Sequence, residues 1–197
     1  FKIRYNHFML NKYNILDQLI AYLRNKELLK KNRLQNKKIL DFGCGSNFEE
    51  IKKRYMSCSK VVLIDRWGED FTDKNIKFFN YRDDLNIINQ NLKDEKFDII
   101  ILAAVIEHLD KPEDIINFLK KYLDTNGYFL LTAPSKNSKW ILEFMAYKLK
   151  IINADLVREH KRYYNKNEYQ ILSKLTNLKL EKFYFFEFGV NTLAILK

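Results

Sequence analysis

The chain has 197 residues, 47% of them hydrophobic and 15% aromatic, enough for one domain with a sizeable core and too much for a disordered segment. A net charge of +10 admits an anionic partner, yet the lysines are spread over the whole chain with acids between them, the pattern of a solvated face. Two cysteines make no disulfide framework and point to a reducing compartment, the cytoplasm, and the longest apolar run, 99–106, falls far short of the ~20 residues of a membrane helix.

Residues 11–31 carry Ile15, Leu19, Tyr22 and Leu23 at helical spacing and predict an amphipathic helix, part of an N-terminal extension over 1–36. A strand over 38–42 and a helix over 46–55 follow, with Ser46 as the N-cap. The run 60–65 is a second buried strand, 68–75 a polar turn, and 75–81 a short third strand leading into a helix that ends near Asn91. Residues 97–103 are apolar apart from Asp98, as in a strand covered on both faces. A helix over 112–123 starts at Pro112, with Gly127 after its end, and a fifth strand spans 128–132. Residues 138–152 and 167–177 read as helices. The stretches 179–188 and 190–196, joined at Gly189, read as an antiparallel hairpin. Alternating strands and helices with short connections require an open, mostly parallel α/β sheet wrapped on both sides. No linker or repeat interrupts 1–197, so one domain is expected. No charged start followed by an apolar signal core is visible, and because the chain opens on Phe1 rather than Met its true N-terminus does not follow from the sequence.

The chemistry concentrates where strands end. Ile39 and Leu40 run into Asp41, then Gly43 and Gly45 alternate ahead of a helix. Glycine takes positive φ and lets backbone approach a ligand closely, so this turn is a cradle at the carboxyl rim of the sheet. The second strand ends at Asp65, where a carboxylate can accept both ribose hydroxyls of a nucleoside held by the turn. Asp83-Asp84-Leu85 follows the third strand at the height of an adenine ring, Asp84 for the exocyclic amine and the adjacent N–H for a ring nitrogen.

These segments, ILDFGCG (39–45), VVLID (61–65), DDL (83–85), FDIIILAAVIEHLDKPE (97–113), LDTNGYFLLTAPS (123–135) and REHKRYY (158–164), resemble the class I S-adenosylmethionine-dependent methyltransferases of the small type-11 group. The resemblance implies a Rossmann-like three-layer sandwich with a seven-stranded, mostly parallel sheet whose last strand is antiparallel. It implies S-adenosylmethionine as cofactor, with Asp41, Gly43 and Gly45 along the methionine moiety, Asp65 at the ribose, Asp84 and Leu85 at the adenine, and Ala103 and His108 as the wall near the sulfonium. The third glycine usual in the family is Asn47 here, a residue that tolerates left-handed backbone. The same departure weakens NAD as the runner-up, whose fingerprint needs that glycine.

Methyl transfer asks mainly for alignment and exclusion of water, and a hydroxyl acceptor adds a general base. His160 is the candidate base, or else the anchor of its loop. Tyr163 and Tyr164 are candidates to orient an acceptor hydroxyl, and the catalytic pair expected is His160 with Tyr164. His108 is a cofactor wall or a helix-start residue, and His7 carries no motif. An inserted segment, 136–166, covers the acceptor. Its Trp140, Phe144 and Tyr147 recur at helical spacing, as a core stripe or as a stacking surface, the core stripe being the simpler reading. Cys44 and Cys58 lack histidine partners at ligand spacing, so no metal is expected. Resemblance through 133–149 and 159–164 implies a small-molecule or glycan acceptor, first a sugar hydroxyl of surface-polysaccharide biosynthesis. The alternative is a nucleic-acid-binding or RNA-modifying protein using Lys26, Lys30, Lys31, Arg33, Lys37 and Lys38. Against methylation of base amines, Leu102-Ala-Ala-Val105 stands where an Asn-Pro-Pro-Tyr-like tetrad is needed. Oligomeric state does not follow from these residues.

Overall fold

A computed structural model describes residues 15–30, 33–45 and 47–197. The expectations on His7, Lys31 and Ser46 lie outside the described residues. Helix α1 (Ile15–Leu28) precedes β1 (Lys38–Phe42), α2 (Phe48–Arg54), β2 (Lys60–Asp65), β3 (Phe71–Asp73), β4 (Ile76–Asn80), α3 (Leu85–Leu92) and β5 (Phe97–Ala103). Then come α4 (Pro112–Lys120), β6 (Leu123–Pro134), α5 (Lys139–Tyr147), α6 (Ala154–Arg158), α7 (Lys166–Leu175) and the closing pair β7 (Leu180–Phe186) and β8 (Asn191–Leu196).

One sheet of eight strands has the order β3-β4-β2-β1-β5-β6-β8-β7. Strands β4, β2, β1, β5 and β6 are parallel, and β8 runs antiparallel to both β6 and β7. Seven strands are those expected, and the antiparallel last strand is β8. The eighth, β3, replaces the polar turn read over 68–75. It pairs antiparallel with β4, Phe71 opposite Phe78, and their rings stack at 5.5 Å with Phe48 edge-on to both. Only three residues long and half polar, it carries too short a pattern to be legible.

Strand alternation divides the apolar residues between two cores. Leu40, Val62, Ile64, Ile100, Leu102, Phe129 and Leu131 face α3, α4 and α7, while Ile39, Val61, Leu63, Ile99, Ile101 and Leu130 face α1 and α2. The central strand β5 is buried on both faces, as its unbroken apolar run predicts. Strand β6 starts five residues earlier than its apolar pattern, because Leu123 pairs with Phe97 before a bulge restores register at Tyr128. Gly127 lies inside this strand, where a Cβ would stand 2.9 Å from the Phe97 carbonyl oxygen. A third, smaller cluster joins Leu142, Ala146, Ile152 and Val157 of the α5–α6 segment to Ile20 of α1. Trp140, Phe144 and Tyr147 are not a core stripe: all three are exposed, at 69%, 50% and 42%, and the buried face of α5 is Leu142 and Ala146.

Candidate active site

The glycine turn leaves β1 at the carboxyl rim. Gly43 and Gly45 both hold left-handed backbone, φ +77° and +79°, and the Gly43 and Cys44 amides donate to the Ile64 carbonyl at the end of β2. A Cβ on Gly43 would stand 2.5 Å from Val105, whereas at Gly45 nothing lies within 4 Å. The turn is therefore packed behind and open in front. Asn47 is not left-handed. At φ −84° it is the N-cap of α2, its side-chain oxygen accepting from the Glu50 amide at 3.4 Å, so the residue that departs from the family glycine starts the helix instead.

Three carboxylates stand along this rim in different surroundings. Asp65 clasps the turn: one oxygen accepts the Gly45 amide at 2.8 Å, the other the Arg66 and Trp67 amides at 2.7 and 3.3 Å. Burial pushes its carboxyl above the usual range despite these donors. Asp41 is 1% exposed, one oxygen taking the Tyr55 phenol at 2.6 Å and the Arg54 guanidinium at 3.5 Å, the other buried without a partner. Burial raises this group too, outweighing Arg54. Asp84 is exposed and caps α3 by accepting the Asn86 amide at 2.9 Å, with half-buried Leu85 next to it. Asp83 instead pairs with Arg66 at 3.4 Å.

Beyond half-buried Ala103 the chain turns at Ala104, whose φ of +56° is strained for a residue with a Cβ. Val105 then covers Gly43, and Glu107 and His108 follow. His108 Nδ1 lies 3.2 Å from the Glu159 carbonyl, and its ring is 5.1 Å from that of His160. His160 has an unpartnered, buried Nδ1 and a ring edge-on to Tyr163 at 5.6 Å. Burial, with His108 and Arg24 adding, depresses His160 to about 4, so its ring is neutral at physiological pH. Glu107 is 1% exposed, and burial pushes its carboxyl up to about 7. Among the described residues, one ligand atom from each of Glu107, His108 and His160 falls within 4.8 Å of the others.

The two tyrosines divide. Tyr164 is 3% exposed, its phenol donating to the Ile106 carbonyl at 3.2 Å and its ring packed on Tyr169, so it anchors the core. Tyr163 faces His160. Sequence reading missed Glu107, although it stands beside His108 in the segment already singled out; no local signal says that this loop will meet the one holding His160. The basic cluster is largely paired. Lys30 contacts Glu27 at 3.3 Å, Lys37 contacts Asp98 at 3.7 Å, and Arg33 donates to the Glu27 carbonyl and the Tyr184 phenol. A separate groove of about 330 Å³ between α4 and α7 is lined by Pro112, Arg162, Tyr163, Leu172 and Leu175, and no residue of the glycine turn reaches it.

A parallel sheet with a glycine turn and acids along its carboxyl rim defines a nucleoside-binding α/β enzyme fold. The model of the methyltransferase-domain family matches residues 5–182. The chain belongs to this family, the class I methyltransferases that draw their methyl group from S-adenosylmethionine. It is 28% identical over 147 residues to the ubiquinone biosynthesis O-methyltransferase of Glaesserella parasuis, a match covering 70% of this chain and 58% of that protein. Its fold is that of a SAM-dependent methyltransferase from Archaeoglobus fulgidus, with TM-score 0.63, 14% identity and coverage of 93% and 100%. It is also that of the plantazolicin methyltransferase BpumL in complex with a monoazolic desmethylPZN analog and SAH, with TM-score 0.62, 15% identity and coverage of 91% and 82%. Among the described residues no helix is long and apolar enough to cross a membrane.

Proposed function

We propose that this protein transfers a methyl group from S-adenosylmethionine to a hydroxyl of a small acceptor, with the cofactor seated on the rim between Gly43 and Leu85. The observation that carries this reading is the turn at Gly45: left-handed, empty in front, and clasped by the carboxylate of Asp65. The donor set suits the cofactor. The orphaned, buried oxygen of Asp41 is an acceptor for the methionine ammonium, and Gly45 gives the methionine chain a surface free of side chains. The Asp65 oxygen that accepts only the Gly45 amide keeps a lone pair for a ribose hydroxyl. Asp84 spends one oxygen on its helix cap and offers the other to the adenine amine beside Leu85. Ala103 and His108 close the side from which the acceptor comes.

When bound, S-adenosylmethionine supplies a methyl on a positively charged sulfur, so that the carbon–sulfur bond breaks as the bond to the acceptor oxygen forms. The chain's part is to align the two reactants, exclude water and receive the proton that leaves the acceptor hydroxyl. Alignment of this kind supplies ~7–11 kcal/mol. The proton goes to the cluster of Glu107, His108 and His160, with the neutral ring of His160 as its first stop and Tyr163 beside it to orient the acceptor. The relative that acts in ubiquinone biosynthesis favours a phenolic hydroxyl over the sugar hydroxyl implied by resemblance at the sequence level. The nucleic-acid reading is weakened at Lys30, Arg33 and Lys37, whose side chains are engaged with Glu27, Tyr184 and Asp98. Two free thiols suit a reducing cytoplasm.

The test is transfer of isotopically labelled methyl from S-adenosylmethionine to a panel of dihydroxybenzoates, nucleotide-sugars and RNA. Label on a phenol oxygen, with kcat reduced about 10²–10⁴-fold in His160→Gln and unchanged affinity for S-adenosylhomocysteine, is the expected result. Label on RNA or on a sugar alone would refute the phenolic acceptor.

A further inference from the structure

Three groups able to ligate a cation, Glu107, His108 and His160, meet at the end of β5. His108 Nδ1 faces the Glu159 carbonyl at 3.2 Å. A carbonyl only accepts, so the proton sits on Nδ1 and the lone pair of His108 is on Nε2. This is the arrangement by which a backbone carbonyl fixes the tautomer of a metal-ligating histidine. His160 Nδ1 is buried and has no hydrogen-bond partner, and so is one carboxylate oxygen of Glu107. Glu107 is 1% exposed, so bulk solvent does not satisfy this oxygen. Leaving such atoms unmet is costly, and more so when the group is charged. A cation satisfies all three at once.

We propose that Glu107, His108 and His160 hold a divalent transition-metal cation beside the glycine turn. The ligand atoms already lie within 4.8 Å of one another, and side-chain rotation brings them to the separation that bonds of about 2.0–2.2 Å to one ion require. Two imidazoles and one carboxylate favour zinc, cobalt, iron(II) or manganese over the all-oxygen preference of magnesium and calcium. Three protein ligands leave a position open, as in catalytic rather than structural sites. The site is also joined to the cofactor turn, because Val105, two residues before Glu107, covers Gly43.

The charges around the site come from two further elements. Arg24 of α1 acts on Glu107, His108 and His160, and Lys161 acts on His108. Glu159 also acts on His108, so the ion shares the field of two carboxylates with these cations, and one position stays open for an acceptor oxygen. Its use in catalysis rests on the methyl-transfer reading, while its occupancy does not. A bound cation would be held by Glu107, His108 and His160 and would supply Lewis acidity to an acceptor hydroxyl at its open position, with His160 serving as ligand.

The test uses the full chain, stripped with a chelator and titrated with Co²⁺ by calorimetry and visible absorption, with S-adenosylhomocysteine affinity measured alongside. One equivalent of cobalt with a d–d spectrum of low coordination number is expected. Zn²⁺ displaces it, and both His160→Gln and Glu107→Gln weaken it by more than about 100-fold, beyond what a supporting contact costs. S-adenosylhomocysteine binding reports that each variant is folded. Absence of cobalt binding to the wild-type chain at millimolar metal overturns the inference, as does a spectrum unchanged in His160→Gln. Loss of S-adenosylhomocysteine binding with the cobalt site intact would instead overturn the methyl-transfer reading.

Discussion

Gly43 and Gly45 share a left-handed φ but stand in different space, and that difference separates folding from binding. At Gly43 a methyl group meets Val105 at 2.5 Å in addition to the backbone strain. Gly43→Ala is therefore expected to lose about 2–4 kcal/mol of stability, read as a lowered midpoint in urea. At Gly45 only the conformational term remains, about 1–2 kcal/mol, because no atom lies within 4 Å. Its methyl points instead into the space assigned to the methionine chain. Gly45→Ala should thus lose more than tenfold in S-adenosylhomocysteine affinity while unfolding near wild type. Equal losses of both kinds in the two variants would show that the turn is structural only.

At the scale of elements, helix α7 shows how a local sequence signal becomes stability. Asn165 and Glu168 form a capping box, Glu168 accepting the Asn165 amide at 2.9 Å while also taking Lys136. Partial burial pushes the Glu168 carboxyl up, but the donors from Lys136 and Asn165 outweigh it and hold the group below its ordinary range. A depressed folded-state value means stability that is present above the unfolded value and is lost as pH falls through the folded one. Glu168→Gln should therefore be less stable than wild type at pH 7, by about 0.5–2 kcal/mol. The two proteins should converge as the carboxyl protonates, a trend that paired melts across the acid range measure directly. Helix α5 makes the opposite case. The 3.6-residue spacing of Trp140, Phe144 and Tyr147 marks one face of a helix without saying whether that face is covered, and here it is not. Trp140→Ala should change stability by no more than about 0.5 kcal/mol, against the 3–5 kcal/mol of a core tryptophan. A large drop in melting temperature would restore the core reading.

Across the whole molecule, what was legible in the sequence is what short-range physics determines. Strands β1, β2 and β5 announce themselves as unbroken apolar runs ended by polar residues, because both of their faces are covered. The rim follows from them: a strand that ends in Asp41 or Asp65 must deliver that acid to the carboxyl edge. Strand β3 was hidden because its pairing partner, not its own three residues, makes it a strand. The meeting of Glu107 and His108 with His160 was hidden for a related reason, since the loops after β5 and α6 are far apart in sequence and meet through the Lys161 amide donating to the Glu107 carbonyl at 2.8 Å. Tyr164 and Tyr163 are indistinguishable in sequence, and the bond from Tyr164 to the Ile106 carbonyl decides between them.

Calorimetric titration of S-adenosylhomocysteine into wild type and Asp65→Ala tests the central assignment most directly. Asp65 offers a charged acceptor to a ribose hydroxyl, a bond contributing about 1.5–3 kcal/mol, so affinity should fall by about 10- to 100-fold in a variant whose circular dichroism is unchanged. Equal affinity in the two proteins would contradict the placement of a nucleoside on this rim.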